Sequence, residues 1–165
     1  VRRSQRDAEF EAYVAVARPR LRRLAYSLCG DWHRADDILQ TALAKLYVAW
    51  PRVAQASDQD AYVRRTVART TIDESRRPWR REQSSLDGLD VEATGEDLLA
   101  RHDLVAALQR LPEMQRKTVV LRHWLGLSVA ETAHDLGIAE GTVKSHCSRA
   151  LATLHAQMTA KEHRS

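Results

Sequence analysis

Apolar positions along this chain recur at helical spacing and almost nowhere in strict alternation. Leu21, Leu24, Ala25 and Leu28 fall at i, i+3, i+4 and i+7, which places them on one face of a helix. Pro19 is tolerable near the start of that helix, and Gly30 ends it. A second stripe, Leu39, Ala42, Leu43, Leu46, Tyr47 and Trp50, predicts another helix that Pro51 stops. Ser57-Asp-Gln-Asp60 then has capping-box spacing, with Asp in place of the usual Glu. The helix it opens runs to about Arg77, before Pro78. Residues 82–100 are polar and acidic and contain two glycines, the composition of a linker. Beyond it, helices fit near 97–110, 113–124, 128–136 and 140–158. The pattern predicts an all-α protein: two small helical domains, 7–81 and 97–158, joined by a flexible acidic linker, 82–96.

The last two helices carry chemistry. Val129, Ala133 and Leu136 make one apolar face, and Ser128-Val-Ala-Glu131 is a capping box. Gly137 stands where a tight turn between helices needs a left-handed residue. Val143, Cys147, Ala150, Leu151 and Leu154 form a stripe expected to pack inward, which makes Cys147 a core thiol. The opposite face carries Thr142, Lys144, Ser145, Ser148 and Arg149. Short hydroxyls and long cations near a helix N-terminus suit phosphates and base edges in a major groove. One local rule is broken at Ala139, where a capping Ser or Asp would satisfy free amides. Such a loss typically costs about 0.5–2 kcal/mol, and Glu140 offsets part of it through the helix dipole.

Composition narrows the class. Apolar residues make up 44% of 165 residues but aromatics only 5%, with Ala and Leu dominant, a balance that favours helices over sheets. No apolar run approaches the roughly 18 residues of a membrane span, and nothing at the start resembles a signal peptide. The chain opens on Val1 rather than Met, so removal of an initiator or more is expected. Cys29 and Cys147 stand alone, the usage of a cytoplasmic protein with two buried thiols and no disulfide framework.

Charge is segmented. Residues 1–81 hold 17 Lys/Arg against 10 Asp/Glu, residues 82–100 hold six acids and no base, and residues 101–165 hold nine bases against six acids. Two basic blocks around an acidic one imply two polyanion-binding surfaces. Enzyme signatures are missing: no Gly-rich phosphate loop, Gly-x-Ser-x-Gly elbow or His-Glu-x-x-His helix. Neither catalysis nor a cofactor is expected. Asp31, His33, Asp36 and Asp37 cluster in sequence, but acids at a helix start already have a dipole role, so no metal is assigned to them.

"GLSVAETAHDLGIAEGTVKSH" is similar both to the DNA-binding domain of response regulators and to region 4 of sigma-70-family initiation factors. The upstream half separates the two. A response regulator would show apolar strands ending in Asp, whereas "CGDWHRADDILQTALAKLYVAW" and "DAYVRRTVARTTIDESRR" resemble sigma regions 2.2 to 2.4. The chain thus resembles extracytoplasmic function (ECF, group IV) sigma factors. "FEAYVAVARPRLRRLAYSLCGDW" and "LYVAWPRV" are especially similar to actinobacterial SigE-type members.

That resemblance implies three contacts. The helix 34–48 would dock on the β′ clamp coiled-coil of core RNA polymerase through Asp36, Asp37, Gln40, Leu43 and Leu46. The −10 element, partly read as flipped single-stranded bases, would meet Trp50, Arg52, Tyr62, Arg65, Arg69, Thr70, Arg76 and Arg77. The −35 duplex would meet Arg122, Thr142, Lys144, Ser145, His146, Ser148 and Arg149, with the β flap as a second polymerase contact. The acidic linker would occupy a basic polymerase channel, and an anti-sigma factor is a possible further partner. Departures from the family pattern are Thr41 for Glu, Thr70 for Asn, Ala139 for Pro or Ser, and His146 for Arg. The rival is an autonomous helix-turn-helix regulator that binds an operator as a dimer.

Overall fold

The computed structural model describes residues 2–76 and 96–164, with side chains of the second stretch from Asp103 onward. The segment read as an acidic linker, and Arg77, lie outside the described residues. Every regular element among the described residues is helical. The chain divides into two compact units, residues 1–86 and 87–165.

The N-terminal unit is a three-helix bundle of α1 (Arg2–Cys29), α2 (Trp32–Val53) and α3 (Gln59–Ser75). Its core is the predicted stripes: Leu21, Leu24, Ala25 and Leu28 from α1 meet Leu39, Ala42, Leu46 and Trp50 from α2, all buried. Val63, Val67, Ala68 and Ile72 of α3 close it.

Both prolines fail to bound their helices. Pro19 lies inside α1, not near its start, and Pro51 lies inside α2, which continues to Val53. An interior proline costs roughly 3 kcal/mol. Here both rings are exposed, while Ala17 and Leu21 flank one, and Trp50 and Val53 the other, all deeply buried. Burying a large apolar side chain yields about 1.5–3 kcal/mol, so tertiary packing carries each helix through its proline.

Caps differ in one place from expectation. Asp58, not Ser57, caps α3, its carboxylate accepting from the Ala61 amide at 3.0 Å. The one-residue shift frees Asp60 for other partners. Asp31 caps α2 by accepting from the His33 and Arg34 amides at 2.8 and 3.1 Å. Gly30 ends α1 at φ +75°. Cys29 is only partly buried, contrary to expectation, because it sits at that junction.

The C-terminal unit contains α4 (Glu96–Gln109), α5 (Glu113–Val119), α6 (Val129–Leu136) and α7 (Glu140–Glu162). The helix expected over 113–124 changes to a π-helical turn at Val120–Trp124. There the Leu125 amide reaches back to the Val120 carbonyl at 3.0 Å. Ser128 caps α6 as predicted, accepting from the Glu131 amide at 3.0 Å, and Gly137 is left-handed at φ +66°. Val143, Cys147, Ala150 and Leu154 pack inward. Leu151 does not: it is 43% exposed, because it lies at the edge of the stripe, turned away from α5 and α6.

Candidate nucleic-acid interface

Two surfaces gather the candidate nucleic-acid residues, one on each unit. On the N-terminal unit, Tyr62, Arg65, Arg69 and Arg76 fall at i, i+3, i+7 and i+14, along one side of α3 and its C-cap. Arg69 and Arg76 are exposed, Tyr62 is 38% exposed and Arg65 half-buried. Arg52 is exposed at the end of α2.

Two other −10 candidates belong to the core. Trp50 is 3% exposed, with Phe10 edge-on at 5.2 Å and Tyr13 at 5.3 Å. Thr70 is 2% exposed, and its hydroxyl donates to the Thr66 carbonyl at 2.7 Å. Their side chains shape the surface from beneath rather than standing on it.

The start of α3 is pinned by groups that sequence reasoning missed. The Tyr13 hydroxyl donates to Asp60 Oδ1 at 2.5 Å, and the Arg20 guanidinium donates to the same oxygen at 2.7 Å. Burial, and then the bond to Asp60, push the Tyr13 pKa up to about 12. The sequence signalled only the inward position of Tyr13, because Phe10, Tyr13 and Ala17 extend the Leu21–Leu28 spacing back across Pro19; its pairing with Asp60 had no such signal.

Among the docking candidates, Asp36 is held by Arg22 through two bonds, 2.6 and 3.1 Å, and that hydrogen-bonded cation draws its carboxyl below the ordinary range. Arg22 also lies 4.4 Å from the Trp32 ring centroid, and Trp32 stacks on Tyr26 at 3.9 Å. Gln40 and Leu43 line a groove of about 540 Å³ between α1 and α2, together with Phe10 and Val14. Asp37 is exposed, and on the same side Val48 is 79% exposed, an apolar residue the sequence did not single out. Leu46 is 1% exposed and belongs to the core.

On the C-terminal unit, Lys144, Ser145, Ser148 and Arg149 are exposed on α7, and Thr142 and His146 are half-buried at its flanks. The Ser145 hydroxyl donates to the Thr142 carbonyl at 3.1 Å. Ala139 makes no capping bond, and a side chain at Gly141 would meet nothing within 4 Å, so the first turn of α7 is open. Arg122 sits in the π-helical turn and donates to the Leu127 carbonyl, which ties that turn to the entry of α6. The Cys147 thiol lies on the opposite side, and burial pushes its pKa up, which keeps it protonated and inert.

Comparison with known proteins agrees with this two-part arrangement. Residues 4–81 match the family model for Sigma-70 region 2, and residues 101–154 that for Sigma-70, region 4. The chain is 39% identical over 162 residues to an RNA polymerase sigma-E factor of Streptomyces coelicolor, covering 93% of this chain and 88% of the relative. It is 35% identical over 138 residues to the ECF RNA polymerase sigma factor SigM of Mycobacterium tuberculosis, covering 81% and 69%. The sigma factor RpoE of Bartonella quintana, solved with the anti-sigma factor NepR, superposes with a TM-score of 0.64 at 25% identity, covering 92% of this chain and 97% of that one. The chain belongs to the sigma-70 family, among its extracytoplasmic function members.

Proposed function

We propose that the two surfaces divide one task, promoter recognition by an RNA polymerase sigma factor. The α1–α2 groove at Gln40 and Leu43, with exposed Asp37, docks on the β′ clamp coiled-coil of core polymerase. Asp36 acts there through Arg22, as part of a fixed charge pair. Tyr62, Arg65, Arg69 and Arg76, with Arg52, take the −10 strand. Lys144, Ser145, Ser148 and Arg149 read the −35 duplex, with Thr142 and His146 at the flanks and Arg122 holding the neighbouring turn. The β flap and an anti-sigma factor are further partners.

One observation carries the −10 assignment: an aromatic ring and three cations share one side of α3, and the first turn of that helix is locked to α1 by Asp60. Cations tracking phosphates beside a ring that can stack are the working parts of a single-strand groove. Catalysis then belongs to the polymerase, and the protein acts in the cytoplasm, associated with the nucleoid when bound to polymerase. No helix among the described residues is long and apolar enough to cross a membrane.

A salt titration tests the assignment. Holoenzyme bound to a premelted promoter fragment that lacks a −35 element is compared with the Arg65→Ala/Arg69→Ala form. Loss of two single-strand phosphate contacts lowers the slope of log affinity against log salt by about 1.4. Equal slopes contradict it. An autonomous operator dimer would instead bind duplex tightly without core polymerase.

A further inference from the structure

The corner between α1 and α2 holds four half-buried side chains that interlock. Arg22 and Tyr26 stand one turn apart on α1, and Trp32 and Asp36 one turn apart on α2. Arg22 reaches both α2 residues: its guanidinium lies 4.4 Å from the Trp32 ring centroid and donates to both Asp36 oxygens, at 2.6 and 3.1 Å. Trp32 in turn reaches both α1 residues, since Tyr26 stacks on it at 3.9 Å, 8° from parallel.

The connection between the two helices is fixed as well. The Gly30 amide donates to the Tyr26 carbonyl at 2.8 Å, and the Asp31 carboxylate accepts from the His33 and Arg34 amides. Trp32 is the first residue of α2, so its backbone is set by that cap and its ring by Tyr26. The indole is a rigid floor for the guanidinium.

An exposed ion pair gains little when two flexible side chains must be held in one geometry. A planar guanidinium laid on an aromatic face has fewer alternatives, and cation–π attraction adds to its bonds with the carboxylate. The carboxylate is thereby aimed before any partner arrives. A carboxylate offers about four acceptor sites, and Arg22 occupies one on each oxygen of a side chain that is 46% exposed. A second cation can share it, and a group ordered in advance removes a cost that association would otherwise carry. Asp36 also stands one turn before Gln40, which lines the α1–α2 groove, so it continues the docking surface.

We propose that Trp32, seated on Tyr26, is a positioning residue for polymerase docking: it holds Arg22, and through Arg22 it aims Asp36 at a cation of core polymerase. This deepens the docking assignment and rests on it.

The test measures the affinity of the full chain for core polymerase. Trp32→Leu should weaken it about 2–5-fold, the usual worth of an exposed cation–π contact. Trp32→Phe, which keeps a ring under the guanidinium, should recover most of that loss. A merely structural role would not couple to the carboxylate, so the double variant separates the two: in an Asp36→Asn background, Trp32→Leu should cost nothing further. Arg22→Lys keeps the charge without the planar fork and leaves the aromatic pair in place. It should weaken core affinity to the same degree as Trp32→Leu, and it decides the question even if Trp32→Leu does not fold. An undiminished loss in the Asp36→Asn background, or Trp32→Phe as weak as Trp32→Leu, overturns the positioning role. Wild-type affinity in Trp32→Leu or Arg22→Lys, with Asp36→Asn weakened, overturns it alone. Wild-type affinity in Asp36→Asn overturns docking through Asp36, and the positioning role with it.

Discussion

Tyr13 of α1 donates to Asp60 of α3 across 2.5 Å, and that bond anchors the first turn of the helix proposed to carry the −10 contacts. Asp60 is available because Asp58 takes the capping role, one residue later than the expected Ser57. Arg20 shares the same carboxylate oxygen, so two residues of α1 anchor the first turn of the helix that carries Tyr62 and Arg65.

Tyr13→Phe should lower stability at neutral pH by about 1 kcal/mol, the usual worth of such a bond. Its effect on pH dependence is more specific. The folded-state pKa lies near 12, above the ordinary tyrosine value of 10.0, so this contribution is complete below pH 10.0 and is lost as pH rises toward about 12. Urea unfolding across that window should show wild type losing stability faster than Tyr13→Phe. Parallel curves contradict the shared bond.

Pro19→Ala should stabilise the N-terminal unit. It restores an amide to the α1 ladder and removes a ring clash, together about 3 kcal/mol, less roughly 0.4–1 kcal/mol for a freer unfolded chain. Thermal unfolding should therefore shift upward. A downward shift would contradict a net cost of Pro19 to α1.

The two caps of the helix-turn-helix should respond oppositely. Ser128→Ala removes a bond seen at 3.0 Å and should cost about 1 kcal/mol, whereas Ala139→Ser supplies a missing one and should add a similar amount. Chemical denaturation measures both. Ala139→Ser without any gain would show that the open first turn of α7 is already satisfied.

Lys144→Ala with Arg149→Ala should reduce the salt slope for holoenzyme on a −35 duplex by about 1.8, roughly 0.9 per phosphate contact. The same pair should leave the premelted fragment lacking a −35 element unchanged. An equal loss on both fragments would mean that the two surfaces do not divide the promoter.

Much of this was legible in the sequence, for physical reasons that differ by residue. Helical spacing located the cores of both units, because burial enforces periodicity: Leu24, Leu39 and Val143 were all recognisable. Ser128 and Gly137 were recognisable because a cap and a left-handed turn each demand particular residue types. Helix ends at prolines were not, since exposed Pro19 and Pro51 are outweighed by buried neighbours that only the fold reveals. Burial at the edge of a stripe was hidden, which left Leu151 expected inside, where the structure has it 43% exposed. The long-range pairs, Tyr13 with Asp60 and Arg22 with Asp36, have no local signature at all.

The division of labour between the units stands or falls on transcription itself. Run-off transcription from a promoter library should be measured with core polymerase alone, with the wild-type chain, and with Arg65→Ala/Arg69→Ala. Core alone should give no promoter-specific product, the wild-type chain should give discrete products, and the variant should lose them on duplex templates. Discrete products that persist in the variant, or a wild-type chain that yields none with core, would contradict promoter opening through α3.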